Sequence, residues 1–229
     1  LNIPVDSVVA GFHQRVDDNT FSDIPLESFA KMQNDNRYFI IMGGSSKYSE
    51  QAQRLGLKNF IHLPHSADKK TISKFLNTLD IFAHGRKDGE TFGAVFAEAL
   101  LHHCPCLGHQ TATSNAHKET MGCSGLFAKN PKDYTLKLKQ LFESRPLRNK
   151  LSDNGFTYAK QKFIDKDYIK NIEKVYLDIC KNLPAYTRKV RFFQALRKLK
   201  RSVVLYKKEK LGNKRKYTIL GIKFSIKKK

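Results

Sequence analysis

The residues of this chain best suited to chemistry crowd into Asp88-Gly89-Glu90-Thr91-Phe92-Gly93-Ala94-Val95-Phe96-Ala97-Glu98-Ala99-Leu100. A short polar loop, HGRKDG, leads into this stretch, which then takes on helical character. Thr91-Phe92-Gly93 puts a small, permissive backbone where the helix begins, and the free N–H groups of a helix N-terminus bind anions. Glu98 falls inside an otherwise apolar run, AVFAEAL, where a carboxylate is costly unless something binds it. An acid before a phosphate-facing helix terminus and another two turns into the helix suit a sugar nucleotide. The amides would hold a diphosphate, and the carboxylates would accept from sugar and ribose hydroxyls. The plainer reading is an amphipathic helix, with Glu90 placed for the helix dipole and Glu98 on a solvated face.

Positioning such a site requires strands that end beside that helix. Val5–Phe12 and Tyr38–Met42 read as buried strands, the second ending at Gly43-Gly44. Asn59–Leu63, Leu79–Ala83, Cys104–Leu107 and Gly125–Ala128 add four short apolar runs. Stretches with helical spacing lie between them, at 24–33, 47–55, 69–77, 92–102 and 132–143. Strands separated by single helices predict an α/β fold, a Rossmann-like parallel sheet flanked by helices on both faces. Ligands of such sheets settle at the carboxyl ends of the strands. Two further helices are predicted at 146–160 and 165–182, the second with Asp165 as N-cap, Ile169, Ile172, Tyr176 and Ile179 on one stripe, and Pro184 as its stop.

The segment Glu90-Thr91-Phe92-Gly93…Glu98-Ala99-Leu100…Pro105 resembles the E-x7-E motif of the group 1, glycogen-synthase-like retaining glycosyltransferases, which have the GT-B fold. The resemblance runs on in order through Leu1-Asn2-Ile3-Pro4, Ile40-Ile41-Met42-Gly43-Gly44, Leu57–Leu63, Phe75–Ile81, Glu119 and Gly125-Leu126. It covers residues 1–182, the C-terminal, donor-binding half of such an enzyme. It implies a hexosyl-type transferase that moves a sugar from a nucleotide diphosphate sugar to a glycan or lipid-linked acceptor, as in lipopolysaccharide or capsule biosynthesis. Carried over, Glu90 would meet the transferred sugar and Glu98 the ribose hydroxyls. Thr91 and the Phe92 and Gly93 amides would meet the sugar or diphosphate, and Leu63 and His65 the base. The family's Arg-x4-Lys pair neutralises the leaving diphosphate. Here Arg15 stands at the Arg position, Thr20 at the Lys position and Gln14 where a Gly usually precedes the Arg, with His13 or Lys87 as substitutes for the missing cation. The resemblance implies no metal or other cofactor, and an acceptor domain ahead of Leu1. The alternative is a non-catalytic Rossmann-like binding or assembly module, for which the Thr20 substitution is the best argument.

Other constellations carry less. His102-His103-Cys104-Pro105-Cys106 with His109 lacks the paired spacing of structural zinc sites and reads as a strand of small buried residues. Asp17-Asp18 reads as a solvated loop, and Gly43-Gly44-Ser45-Ser46-Lys47 lacks P-loop spacing.

Composition separates a body from a tail. The chain has 229 residues, 40% of them hydrophobic, and a formal net charge of +21. Residues 185–229 hold 17 Lys and Arg against one acid, Glu209, so +16 of that charge lies there, against +5 in residues 1–184. The predicted division is therefore a nucleotide-sugar-binding domain at 1–184 and a basic tail at 185–229. Thr187–Lys210 carries Phe192, Leu196, Leu199, Val203 and Tyr206 on one helical stripe, and Lys216–Lys227 alternates like a hairpin. A cationic amphipathic segment of this kind, residues 188–229, suits an anionic membrane surface, with nucleic acid the rival partner and no base-reading module present. No apolar run approaches the ~20 residues of a membrane-spanning helix, and no leader of the signal-peptide type opens the chain. Four cysteines at irregular spacing point to a reducing compartment. The expected location is cytoplasmic, peripheral at the cytoplasmic face of a membrane. A chain that begins at Leu1 is expected to be a piece of something longer.

Overall fold

A computed structural model describes residues 1–164 and 168–182, and three strands as backbone, at 206–211, 214–219 and 222–227. Along the chain run β1 (Val8–Gln14), α1 (Ile24–Ala30), β2 (Arg37–Gly43), α2 (Lys47–Arg54), β3 (Phe60–Leu63), α3 (Lys69–Leu76) and β4 (Ile81–Ala83). Then come β5 (Gly89–Glu90), α4 (Ala94–Leu101), β6 (Cys106–His109), β7 (Ser114–Asn115), α5 (His117–Met121), β8 (Gly125–Ala128), α6 (Pro131–Glu143) and α7 (Arg145–Phe163). A second group holds α8 (Tyr168–Lys181), β9 (Tyr206–Leu211), β10 (Lys214–Ile219) and β11 (Ile222–Lys227). The chain divides into two compact units, Leu1–Asp165 and Lys166–Lys229. The division expected at 184/185 thus falls earlier, and α8 belongs to the second unit.

The first unit is built on a six-stranded parallel sheet in the order β3-β2-β1-β4-β6-β8. This is the doubly wound order, in which the chain works outward from β1 and then restarts on its other side at β4. Every residue of β4 and β6 is buried, and all but Val8 of β1. Successive strand residues point to opposite faces, so such runs require cover on both sides. Helices supply it: α1 packs on α6, and α4 on α7. Phe12, Phe29, Phe39, Tyr48, Phe82, Phe96 and Tyr134 fill the core without exposed surface.

The six expected strands and seven expected helices are present, with boundaries moved by a few residues. β1 starts at Val8 rather than Val5, because Val5 lies fully exposed ahead of the sheet. The helix expected from residue 92 starts at Ala94, because Gly93 takes a left-handed N-cap conformation with φ 82°. Ile172, Tyr176 and Ile179 of α8 are exposed; Asp165 and Pro184 lie outside the described residues. The expected tail helix falls at 187–205 outside the described residues, and at its C-terminal end the structure corrects it. Tyr206–Lys210 lies in β9, the third strand of an antiparallel sheet ordered β11-β10-β9. The expected hairpin supplies the template: β10 pairs with β11 from Lys214↔Lys227 to Ile219↔Ile222, and β9 takes β10's other edge from Tyr206↔Ile219 to Leu211↔Lys214. Main-chain pairing to that edge overrides the helical stripe read from Tyr206.

Candidate functional site

The winding reverses between β1 and β4, and the segments leaving the carboxyl ends of these two strands diverge there into a cleft of about 530 Å³. Its walls are His13 and Gln14 at the end of β1 with Arg15 just after it, Arg86 to Val95 after β4 (Lys87 excepted), and Thr113 and Ser114. A crevice at this switch point is where such a sheet binds its ligand. Of the expected site residues, the fold brings His13, Arg15, Glu90, Thr91, Phe92 and Gly93 together around it.

Glu90 is placed by the backbone. β5 pairs in parallel with β7, Glu90 opposite Asn115, and the Ser114 hydroxyl donates to Glu90 O at 2.8 Å. Gly89 is required here: its φ is 68°, and a Cβ would sit 1.8 Å from Ser114 O. Immediately beyond Glu90 the chain turns through Gly93 into α4, whose first intrahelical bond is Phe96 N to Gly93 O, which leaves the preceding amides without an intrahelical partner at a helix terminus that lines the cleft. The Phe92 ring packs edge-on against Phe163 at 5.8 Å, and the Phe92 carbonyl accepts from the Thr120 hydroxyl.

The electrostatics centre on Arg86, which spacing along the chain marks only as part of a polar loop. Its Nε donates to Asp88 Oδ1 at 2.6 Å and its Nη2 to Asp88 Oδ2 at 3.0 Å, a two-pronged grip, and its Nη1 lies 3.6 Å from Glu90 Oε1. The Asp88 bond pushes the guanidinium pKa up and the Asp88 carboxyl pKa down. Burial pushes the Glu90 carboxyl pKa up, against the pull of Arg86. The alternation Arg86-x-Asp88-x-Glu90, a charged residue at every second position, is the signal that could have exposed this cluster.

Glu98 departs from its expected setting. Its side chain is 48% exposed, so it is not a carboxylate stranded among apolar neighbours, and it does not line the cleft. It reaches the cleft's edge through His13, whose Nε2 lies 3.2 Å from Glu98 Oε2. Lys87 is corrected more fully. It lines a separate recess of about 430 Å³ with Phe21–Ile24 and His109–Ala112, because its neighbours Arg86 and Asp88 turn into the cleft while it turns away. Leu63 and His65 line a third recess of about 300 Å³ with Val16, Gly43 and Gly44, and Arg15-Val16 joins it to the main cleft. Thr20 offers no replacement for a cation: it is buried, donates to Asp17 O at 2.8 Å, and accepts from the Gln14 side-chain amide. The Gln14 and Thr20 side chains thus latch the loop that carries Arg15. Arg15 itself is exposed and forms no ion pair among the described residues.

The cysteines of the discounted zinc reading are interior groups. Cys104 and Cys106 are buried, their thiols face the carbonyls of Leu79 and Phe96, and burial pushes both thiol pKa values up. No helix among the described residues is long and apolar enough to cross a membrane.

Comparison with known proteins gives this geometry its context. A family model described as glycosyl transferases group 1 matches residues 1–158. The crystal structure of Anabaena HepE in complex with UDP and glucose matches at TM-score 0.63 and 19% identity, over 78% of this chain and 49% of HepE. A glycosyltransferase from Rickettsia africae matches at TM-score 0.66 and 17% identity, over 80% of this chain and 50% of its own. The C-terminal domain of LpcC, a glycosyl transferase group 1 family protein of Francisella tularensis, matches at TM-score 0.58 and 18% identity, over 70% of this chain and 88% of that domain. The chain thus spans about half the length of the first two and nearly all of the isolated C-terminal domain. A comparison with curated proteins gives no match. The likeness to solved structures is one of fold, and the family model supplies the rest: by sequence over residues 1–158, this chain belongs to the group 1 glycosyl transferases.

Proposed function

We propose that this chain is the donor-binding half of a retaining, hexosyl-type glycosyltransferase that moves a sugar from a nucleoside diphosphate sugar to a glycan or lipid-linked acceptor. The observation that carries the reading is the cleft between β1 and β4, where an unpaired arginine, a helix N-terminus and Glu90 share one wall-to-wall space. Arg15 and the amides from Phe92 to Ala94 face the diphosphate and stabilise its departure, since preorganised donors act where negative charge develops. Glu90 meets the transferred sugar, with Thr91 beside it. Glu98, held against His13, takes the ribose hydroxyls at the cleft's edge, and the recess at Leu63 and His65 takes the base. Among the described residues the cleft holds no second unpaired cation, so diphosphate neutralisation rests on Arg15, the helix terminus and His13 rather than on Lys87. The HepE structures hold UDP and glucose, which supports a sugar nucleotide as ligand. No metal or other cofactor enters this reading.

Turnover requires an acceptor domain besides this one, in keeping with the half-length match to HepE. The charge of segment 188–229 supports a location at the cytoplasmic face of an anionic membrane, with lipid-linked acceptors of lipopolysaccharide or capsule synthesis as the proposed partners. The test is calorimetric titration of the chain with UDP, GDP and their sugars. Saturable binding of one nucleotide and its sugar is expected, with negligible transfer by the chain alone. The second reading, a non-catalytic binding or assembly module, is favoured by buried Thr20 at the family's lysine position, and binding of no nucleotide would favour it over the first.

A further inference from the structure

Each acid of the Glu90/Glu98 pair has a buried imidazole behind it. His13 is the penultimate residue of β1 and His84 follows β4 directly, and continuing the register Ala10↔Ile81, Gly11↔Phe82 sets the two level on neighbouring strands. Their Nε2 atoms lie 3.2 Å from Glu98 Oε2 and 3.4 Å from Glu90 Oε1. His84 is the deeper, 3% exposed, inside a box of the Phe12, Phe82 and Phe96 rings with centroids 5.6, 5.9 and 5.0 Å away. Phenylalanine would fill that box at least as well. Nε2 of His84 meets no hydrogen-bond partner among the described residues, and Glu90 is the one carboxylate within ion-pair reach of it. A buried polar nitrogen without a partner is destabilising, and the Glu90 carboxylate, 3.4 Å away, is the acceptor that can relieve it.

We infer that His84 is a positioning residue for Glu90: from 3.4 Å, a small rotation of the Glu90 side chain brings Oε1 onto the Nε2–H, so that, with Arg86 on the other side, the carboxylate is aimed at the donor sugar. The assignment of the sugar to Glu90 rests on the reading under Proposed function; the His84–Glu90 contact does not. Arg86 alone is a poor anchor, because its Nε and Nη2 are committed to Asp88 and only Nη1 approaches Glu90, at 3.6 Å. A neutral imidazole adds direction without adding charge. His84 stays neutral because burial, together with His117, His109, Arg86 and His13 around it, holds its pKa well below the usual value. The charged groups facing Glu90 are Arg86, Asp88 and Arg15.

The test uses the full chain and first needs no ligand. Carboxyl-carbon NMR, with the Glu90 signal assigned by its loss in Glu90→Gln, follows Glu90 through an acid titration. In His84→Phe the Glu90 midpoint should rise by about one pH unit, tenfold in the protonation constant, because a donor to the charged form is gone. His84→Gln, which keeps an N–H near the Nε2 position, should bring the midpoint back toward wild type. An unmoved midpoint in His84→Phe overturns the contact. The second measurement is the ratio of UDP to UDP-glucose dissociation constants, expected to fall about tenfold in His84→Phe while UDP itself stays within about twofold. Equal weakening of both ligands would make His84 a packing residue and overturn the positioning role. A wild-type chain that binds neither ligand overturns the donor-site reading and with it the aim toward a sugar, whereas the titration still decides the contact.

Discussion

At the scale of single residues, the two glutamates are separable by experiment. In the proposed arrangement Glu98 meets the part of the ligand common to nucleotide and sugar nucleotide, and Glu90 meets the sugar alone. Glu98→Gln should therefore weaken UDP and UDP-glucose equally, by ~1–3 kcal/mol if the carboxylate accepts from hydroxyls. Glu90→Gln should weaken UDP-glucose and leave UDP as it was. Calorimetry on the two variants checks both, and unchanged UDP affinity in Glu98→Gln removes that residue from the site. Glu98 stands out in the sequence for a reason that does not hold: it interrupts an apolar run, yet its side chain is half exposed. Arg86 and His84, which hold Glu90, do not stand out, because their partners follow them by two to six residues through a turn whose course only the β5–β7 pairing fixes.

At the scale of elements, the start of α4 matters most. Gly93 combines a φ of 82° with a position where a Cβ would lie 2.9 Å from His117 Cβ. Gly93→Ala must adopt left-handed backbone at ~1–2 kcal/mol and displace α5 as well. Its unfolding free energy, from urea titration, should fall by at least that amount, and it should lose nucleotide affinity, because the amides before Phe96 lose their common direction. A variant as stable as wild type and binding UDP equally would show that the helix start tolerates other geometries. The α/β alternation makes this helix foreseeable, and the glycine makes its first turn foreseeable. The neighbour that enforces the glycine, His117, comes from an element that the periodicity does not show.

At the scale of the whole molecule, buried histidines set the response to pH. Burial lowers the pKa of His84, His109 and His117 in the folded chain. The unfolded chain, titrating near the ordinary ~6.5, takes up protons first as pH falls, so their contribution is present above about 6.5 and lost below it, by up to ~1.4 kcal/mol per pH unit each. Glu90 has the opposite sign, with stability present below the unfolded carboxyl value and lost as pH rises through its raised folded value. Urea midpoints should be level from pH 7 to 8 and decline from 6.5 toward 5, less steeply in His84→Phe; a level profile down to pH 5 contradicts this. The tail responds to charge instead. With +16 in residues 185–229 and ~1 kcal/mol for each cation near an anionic surface, the chain should float with anionic vesicles and not with neutral ones. Ending it at Pro184 should abolish the difference and leave UDP binding intact. Equal recovery from both vesicle types sinks the electrostatic attachment.

Residue order alone dictates the sheet and its succession of elements, because continuous apolar runs separated by amphipathic helices have one compact solution, a covered parallel sheet. It also dictates which loop carries Glu90 and the glycine that opens α4, since both are local in the chain. Packing in three dimensions chooses which cations share that cleft: Arg86 and Lys87 are adjacent in sequence yet line different recesses, and Thr20 is sealed against Gln14. Packing likewise makes Tyr206–Leu211 a strand, because pairing to β10 supplies main-chain bonds that no periodicity within the segment encodes. The reason is common to these cases. Local spacing fixes which face of an element is apolar, whereas the partner across a gap comes from a distant stretch of chain and is selected only when the chain folds.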